Sequence, residues 1–188
     1  MGLVFRYGSN TSPRRLNGTD RLRGAAEVLG LARTKERFVL SFDVWSRTNN
    51  CAAANLRRDG RGRVVWGVLY EIPEEFLARD TVPDGRRALD AIENEGTNYV
   101  RAAIDVVDER GVETTVLTYL VREPKGGLRT SEAYVGHILN GLREAGAPPE
   151  YVRYVKRRVR LNNPELKGRL RVQGRSLRVR RGGQRAGW

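Results

Sequence analysis

The sequence predicts an α+β fold: a mostly antiparallel, curved or barrel-like mixed sheet with a few helices, and a basic C-terminal extension. Three observations carry this. Short runs rich in β-branched and aromatic residues recur, and helical patterns interrupt them irregularly, which argues against a doubly wound sheet. Two of these runs, YVRAAIDVV (99–107) and VETTVLTYLVRE (112–123), flank a turn at Glu109 to Gly111 and make an antiparallel pair. After the last strand comes a clear amphipathic helix, SEAYVGHILNGLREAG (131–146), with a further helix behind it.

Taken in order, LVFRY (3–7) reads as a short buried strand. Gly8, Ser9 and Asn10 follow. Ser12 is a good N-cap and Pro13 sits at the favoured first helical position, so a helix turn starts there and faces back to the GSN turn. RFVLSFDVW (37–45) alternates around Phe38, Leu40, Phe42 and Val44, the pattern of a half-buried strand. RVVWGVLYEI (63–72) lies between GRG and Pro73 and reads as a central strand. Pro83 to Gly85 marks a turn, and RRALDAIEN (86–94) has helical spacing. Ser131 caps the amphipathic helix and Gly146 lies near its end. Pro149 starts the next helix, EYVRYVKRRV (150–159). Beyond it, Leu170 with Val172 and Leu177 with Val179, around Gly174 and Ser176, suit a small hairpin.

The chain has 188 residues, 39% of them hydrophobic, which suits one domain with an appendage. Its net charge of +13 is unevenly placed. Residues 156–188 hold twelve Lys or Arg against one acid, Glu165, so the rest of the chain carries only about +2. The expected division is therefore a body over residues 1–159 and a basic extension over 160–188. The basic stretch 156–188 suits an acidic partner or nucleic acid held in a salt-sensitive way, or a solvated extension. No run of 18 apolar residues predicts a membrane span, and no secretory pattern opens the chain. Cys51 is alone and has no disulfide partner, which fits a reducing cytoplasm. With one Cys and one His, His137, no Cys/His metal site can be assembled.

Two stretches suggest chemistry. Gly8 permits backbone angles denied to other residues. Successive N–H groups beside a helix start form an anion-binding concavity, with Ser9 and Asn10 adding side-chain donors. The plainer reading is a strand-to-helix turn. In LDAIENEG (89–96), Glu93 lies four residues after Leu89, on a face edged by Leu89 and Ile92. A carboxylate beside apolar residues suits general acid/base work. The plainer reading is a solvated helix end. Glu95 falls on the opposite side if the helix continues, or in the loop before Gly96.

The order of these pieces resembles the gamma-glutamylcyclotransferase-like family, which includes gamma-glutamylcyclotransferases, gamma-glutamylamine cyclotransferases and plant avirulence-induced proteins. That family opens on a strand and a YGSN loop, here FRYGSN from Phe5 to Asn10. It continues through strands like VLSFDVWSRT and VWGVLYEI, a small-residue stretch like CAAAN (51–55), LDxxE at Leu89, Asp90 and Glu93, and a strand holding Tyr99. It closes with a helix like TSEAYVGHILNGLREAGAPPEY (130–151). The likeness covers roughly residues 3 to 155. It implies release of 5-oxoproline from a small γ-glutamyl compound, with no cofactor. It also implies Glu93 as acid/base, Glu95 as the alternate because Gly96 follows it, and Tyr7, Gly8, Ser9, Asn10 and Tyr134 as substrate contacts. Arg6 stands where the family commonly has Ala. Because it alternates with Phe5 and Tyr7, its side chain is expected to miss the pocket. A module of the same fold that binds without turnover stays open, as does the oligomeric state.

Overall fold

Strand-forming runs too short to bury two faces alone find their partners here by closing a sheet on itself, which leaves no free edge. The computed structural model describes residues 1–78, 87–166 and 168–170. Five strands form a closed barrel: β1 (Gly2–Arg6), β2 (Glu27–Thr34), β5 (Trp66–Ile72), β6 (Tyr99–Asp108) and β7 (Glu113–Val121), in the order β1-β5-β2-β6-β7. Neighbours are antiparallel except at the seam, where β1 and β7 run parallel with Val4 opposite Leu117. The expected hairpin of β6 and β7 is present, with Ile104 opposite Val116, and Gly111 takes the left-handed conformation its turn requires (φ 83°). Where β5 meets β1, a Cβ on Gly67 would overlap the Arg6 carbonyl and the Phe5 ring, so only glycine lets the two strands approach.

Two strands stand outside the barrel. β3 (Phe38–Ser46) and β4 (Cys51–Arg58) pair antiparallel, with a bulge between Phe42 and Val44. The sequence patterns did not predict β2, nor that CAAAN begins a strand. Among the described residues, four α-helices follow the irregular placement expected of α+β: α1 (Pro13–Leu16), α2 (Leu89–Glu93), α3 (Glu132–Glu144) and α4 (Pro149–Asn162). Ser131 caps α3 through the Tyr134 N–H at 3.2 Å, and Gly146 turns the chain after it at φ +79°. Ser12 occupies the N-cap position of α1, but its side chain makes no capping bond.

α4 runs past residue 159 and is tied to β3. The Tyr154 hydroxyl accepts from the Leu40 N–H at 3.2 Å, and Arg158 Nε donates to the Leu40 carbonyl at 2.7 Å. Asn163, buried, exchanges hydrogen bonds with Thr130. Of the hairpin expected in the extension, only Leu170 is described, and it is buried; Val172, Leu177 and Val179 lie outside the described residues, as does the turn expected at Pro83 to Gly85. Among the described residues no helix is long and apolar enough to cross a membrane.

Candidate active site

Leaving β1, the chain makes a 3-10 turn over Ser9–Thr11 and enters α1 at Pro13. Gly8 does not use a left-handed conformation there; its φ is −94° and its ψ −151°. Space explains the glycine instead, since a Cβ would sit 3.3 Å from the Tyr134 hydroxyl and 3.5 Å from the Ala54 Cβ. The turn is held from behind by α3. Thr11 Oγ1 donates to the Ile138 carbonyl at 3.3 Å, and a Cβ on Gly141 would overlap the backbone of Thr11 and Ser12. Tyr70 adds a bond to the Thr11 carbonyl at 3.2 Å.

This turn forms one wall of a cleft of about 410 Å³. A second wall is the β3–β4 turn, from Trp45 to Asn49. The third is α2 with the segment leading to Tyr99. Asn98 ties the last two together by donating to the Trp45 carbonyl at 2.9 Å. Of the residues expected at the site, the structure brings Ser9, Asn10, Glu93 and Tyr134 together as lining. Tyr7 and Gly8 stand behind it. Tyr7 is buried, and its hydroxyl donates to the Tyr119 carbonyl. Glu95 is not among the lining residues. α2 ends at Glu93, Asn94 takes a left-handed conformation (φ 55°), and Glu95 is turned into a bridge beside Tyr99.

Glu93 is the centre of the buried polar network. Its Oε1 accepts from Asn10 Nδ2 at 2.6 Å and from Arg6, while Oε2 has no hydrogen bond among the described residues. The Asn10 amide expected to hold an external anion thus grips this carboxylate. Arg6 is not among the lining residues, yet it acts on the site from behind: only 5% exposed, it forms the ion pair with Glu93. Strand alternation does turn it away from Tyr7, but both faces of β1 are covered, and the far face leads to Tyr119 and Glu93. Burial pulls the Arg6 pKa down; the charge and hydrogen bond of Glu93 outweigh this, and the net direction is up. Asp90, beside Glu93 on α2, anchors the helix. It takes two bonds from Arg101, at 2.8 and 2.9 Å, and one from the Tyr119 hydroxyl at 2.7 Å.

Tyr134 and Tyr99 both point at Ala54. The Tyr134 oxygen accepts from the Ala54 N–H at 2.9 Å, and the Tyr99 hydroxyl donates to its carbonyl at 2.8 Å. Burial raises both phenol pKa values, so both are neutral donors at ordinary pH. Sequence patterns gave no sign of three further lining residues, Arg21, Arg47 and Arg87. Arg21 comes from the loop after α1 and donates to Asn10 Oδ1 at 3.2 Å.

A family description, the AIG2-like family, matches residues 64–155. No curated protein sequence matches the chain. A solved gamma-glutamyl cyclotransferase is 27% identical, with a TM-score of 0.68, over 82% of this chain and 86% of that one. A human protein described as uncharacterized matches to the same extent: 27% identity, TM-score 0.68, and the same two shares. YkqA from Bacillus subtilis shares the fold at 23% identity and TM-score 0.65, over 84% of this chain and 54% of YkqA. By motif order, barrel topology and these likenesses together, the chain is similar to the gamma-glutamylcyclotransferase-like family.

Proposed function

We propose that this protein is a cyclotransferase that releases 5-oxoproline from a γ-glutamyl amine, amino acid or peptide, with Glu93 as the proton carrier. The observation that carries the reading is the state of Glu93: a carboxylate only 10% exposed, lining a cleft, with one oxygen fully engaged by Arg6 and Asn10 and the other open.

In this reading Glu93 Oε2 takes a proton from the substrate's α-ammonium. The freed amine attacks its own γ-carbonyl and closes a five-membered ring. The carbonyl oxygen takes up negative charge, and N–H groups of the Ser9–Asn10 turn and the Tyr134 hydroxyl stabilise it. Collapse of the tetrahedral centre breaks the bond to the leaving nitrogen, Glu93 returns the proton there, and the ring nitrogen gives up its second hydrogen as a proton, so that a neutral lactam and an ammonium leave. Attack within one molecule reaches effective molarities on the order of 10⁵ M or more when the geometry is held, so the protein's task is to position the substrate and move protons. Arg6 and Asn10 fix the carboxylate in place and keep Oε2 turned to the cleft.

Glu93→Gln keeps the side chain's size and removes its proton-carrying capacity. 5-Oxoproline release is expected to fall by about 10²–10⁴ while the thermal unfolding profile stays cooperative. Full activity in Glu93→Gln together with loss in Glu95→Gln would transfer the role to Glu95. Loss in neither would overturn the acid/base assignment.

A further inference from the structure

The cleft is strongly asymmetric in charge. Among the described residues its lining holds three arginines, Arg21, Arg47 and Arg87, and a single acid, Glu93, which Arg6 already neutralises. Arg21 is 6% exposed, yet its hydrogen bond goes to a neutral amide, and no carboxylate of the described residues lies within ion-pair distance. A desolvated guanidinium left in this state is costly unless an anion completes it. Arg47 is exposed on the β3–β4 turn and has no ion-pair partner among the described residues. Arg87 spends one N–H on the Ala91 carbonyl at 2.9 Å and keeps its charge at the rim. Trp45, also exposed there, gives the same rim a flat apolar wall.

We propose that Arg21, Arg47 and Arg87 form an anion subsite that selects γ-glutamyl compounds whose leaving amine itself bears carboxylates, a dicarboxylic amino acid above a neutral amine and a neutral amine above a polyamine. The inference rests on the cyclotransferase reading and deepens it. A γ-glutamyl compound with an acidic leaving group presents three carboxylates and one ammonium. The ammonium is met by Glu93, and the carboxylates by the three guanidiniums, which suit carboxylate geometry. A cationic leaving group would instead enter a cleft that already repels it.

The test compares kcat/KM for 5-oxoproline release from γ-glutamylglutamate, γ-glutamylpropylamine and γ-glutamylputrescine. The acidic compound is expected to exceed the cationic one by about tenfold or more at low salt, mainly through KM, and the gap should narrow as salt rises. Charge reversal in an Arg47→Glu, Arg87→Glu double variant should shrink or invert that ratio. Equal rates, a preference for the polyamine, or an unchanged ratio in the variant would overturn the subsite. If the folded protein turns over none of the three, the cyclotransferase reading fails instead. Calorimetric binding of the same three compounds to the Glu93→Gln protein then judges the subsite separately. Salt-sensitive preference for the dicarboxylate upholds it, and equal binding ends it.

Discussion

Arg6 and Arg21 are buried almost equally, at 5% and 6% exposure, and both touch the Asn10–Glu93 centre, yet their electrostatic situations are opposite. Arg6 meets a carboxylate directly, and the net effect raises its pKa. Arg21 meets an amide; burial and then Arg15 pull its pKa down, against the more distant pull of Glu93. The same side chain therefore does two jobs within one site. One guanidinium completes the protein's own structure. The other leaves a charge that a ligand can complete, and such an open charge marks where binding energy is held in reserve.

Breaking the complete pair should have the larger effect. Arg6→Met fills much of the volume but leaves Glu93 with Asn10 alone in a desolvated pocket. A loss of about 3–5 kcal/mol in urea unfolding is expected, with part recovered in Arg6→Lys. Stability unchanged by Arg6→Met would mean that the pair is no more than a surface contact, and the comparison would collapse.

The open arginine should respond in the other direction. Arg21→Met removes a buried cation that has no carboxylate, so stability is expected to hold or to rise by about 1 kcal/mol. The KM for a γ-glutamyl amino acid should meanwhile rise by about tenfold or more. Destabilisation on the scale of Arg6→Met would show that Arg21 is structural after all.

That neither arginine's role was legible in the sequence has a physical basis. YGSN, LDxxE and the α3 pattern are local, so Asn10, Glu93 and Tyr134 were legible as a set, and the three do line one cleft; the barrel-like antiparallel sheet followed from strands in runs. Arg21 acts through a contact with Asn10 that no periodicity encodes. Arg6 was read by strand alternation, which assigns a face but not what covers it. β2 carries Gly30 at φ +135° beside a bulge, with Val28 and Leu29 exposed, so neither a clean alternation nor an apolar run appears. In β4 three alanines of low strand propensity follow Cys51; Tyr99 and Tyr134, gripping Ala54 from other elements, hold the strand in place.

The smallest expected effect is also the most local report on the open arginine. His137, on α3, is the only histidine in the chain, so its imidazole gives a single resolved NMR signal. Partial burial lowers its pKa below the usual value of about 6.5, and Arg15 and then Arg21 lower it further by repelling a second positive charge. The folded state therefore favours the neutral ring. The stability this contributes is present above about pH 6.5 and is lost as pH falls from there through the folded value. An anionic ligand seated against Arg21 would offset part of the repulsion. The His137 titration should then move up toward its ordinary value, and less stability should be lost on acidification. Glutamate, added to the Glu93→Gln protein as the product-like amine, should produce this shift, and putrescine should not. A midpoint that stays fixed with glutamate, or falls, would place the anion away from Arg21.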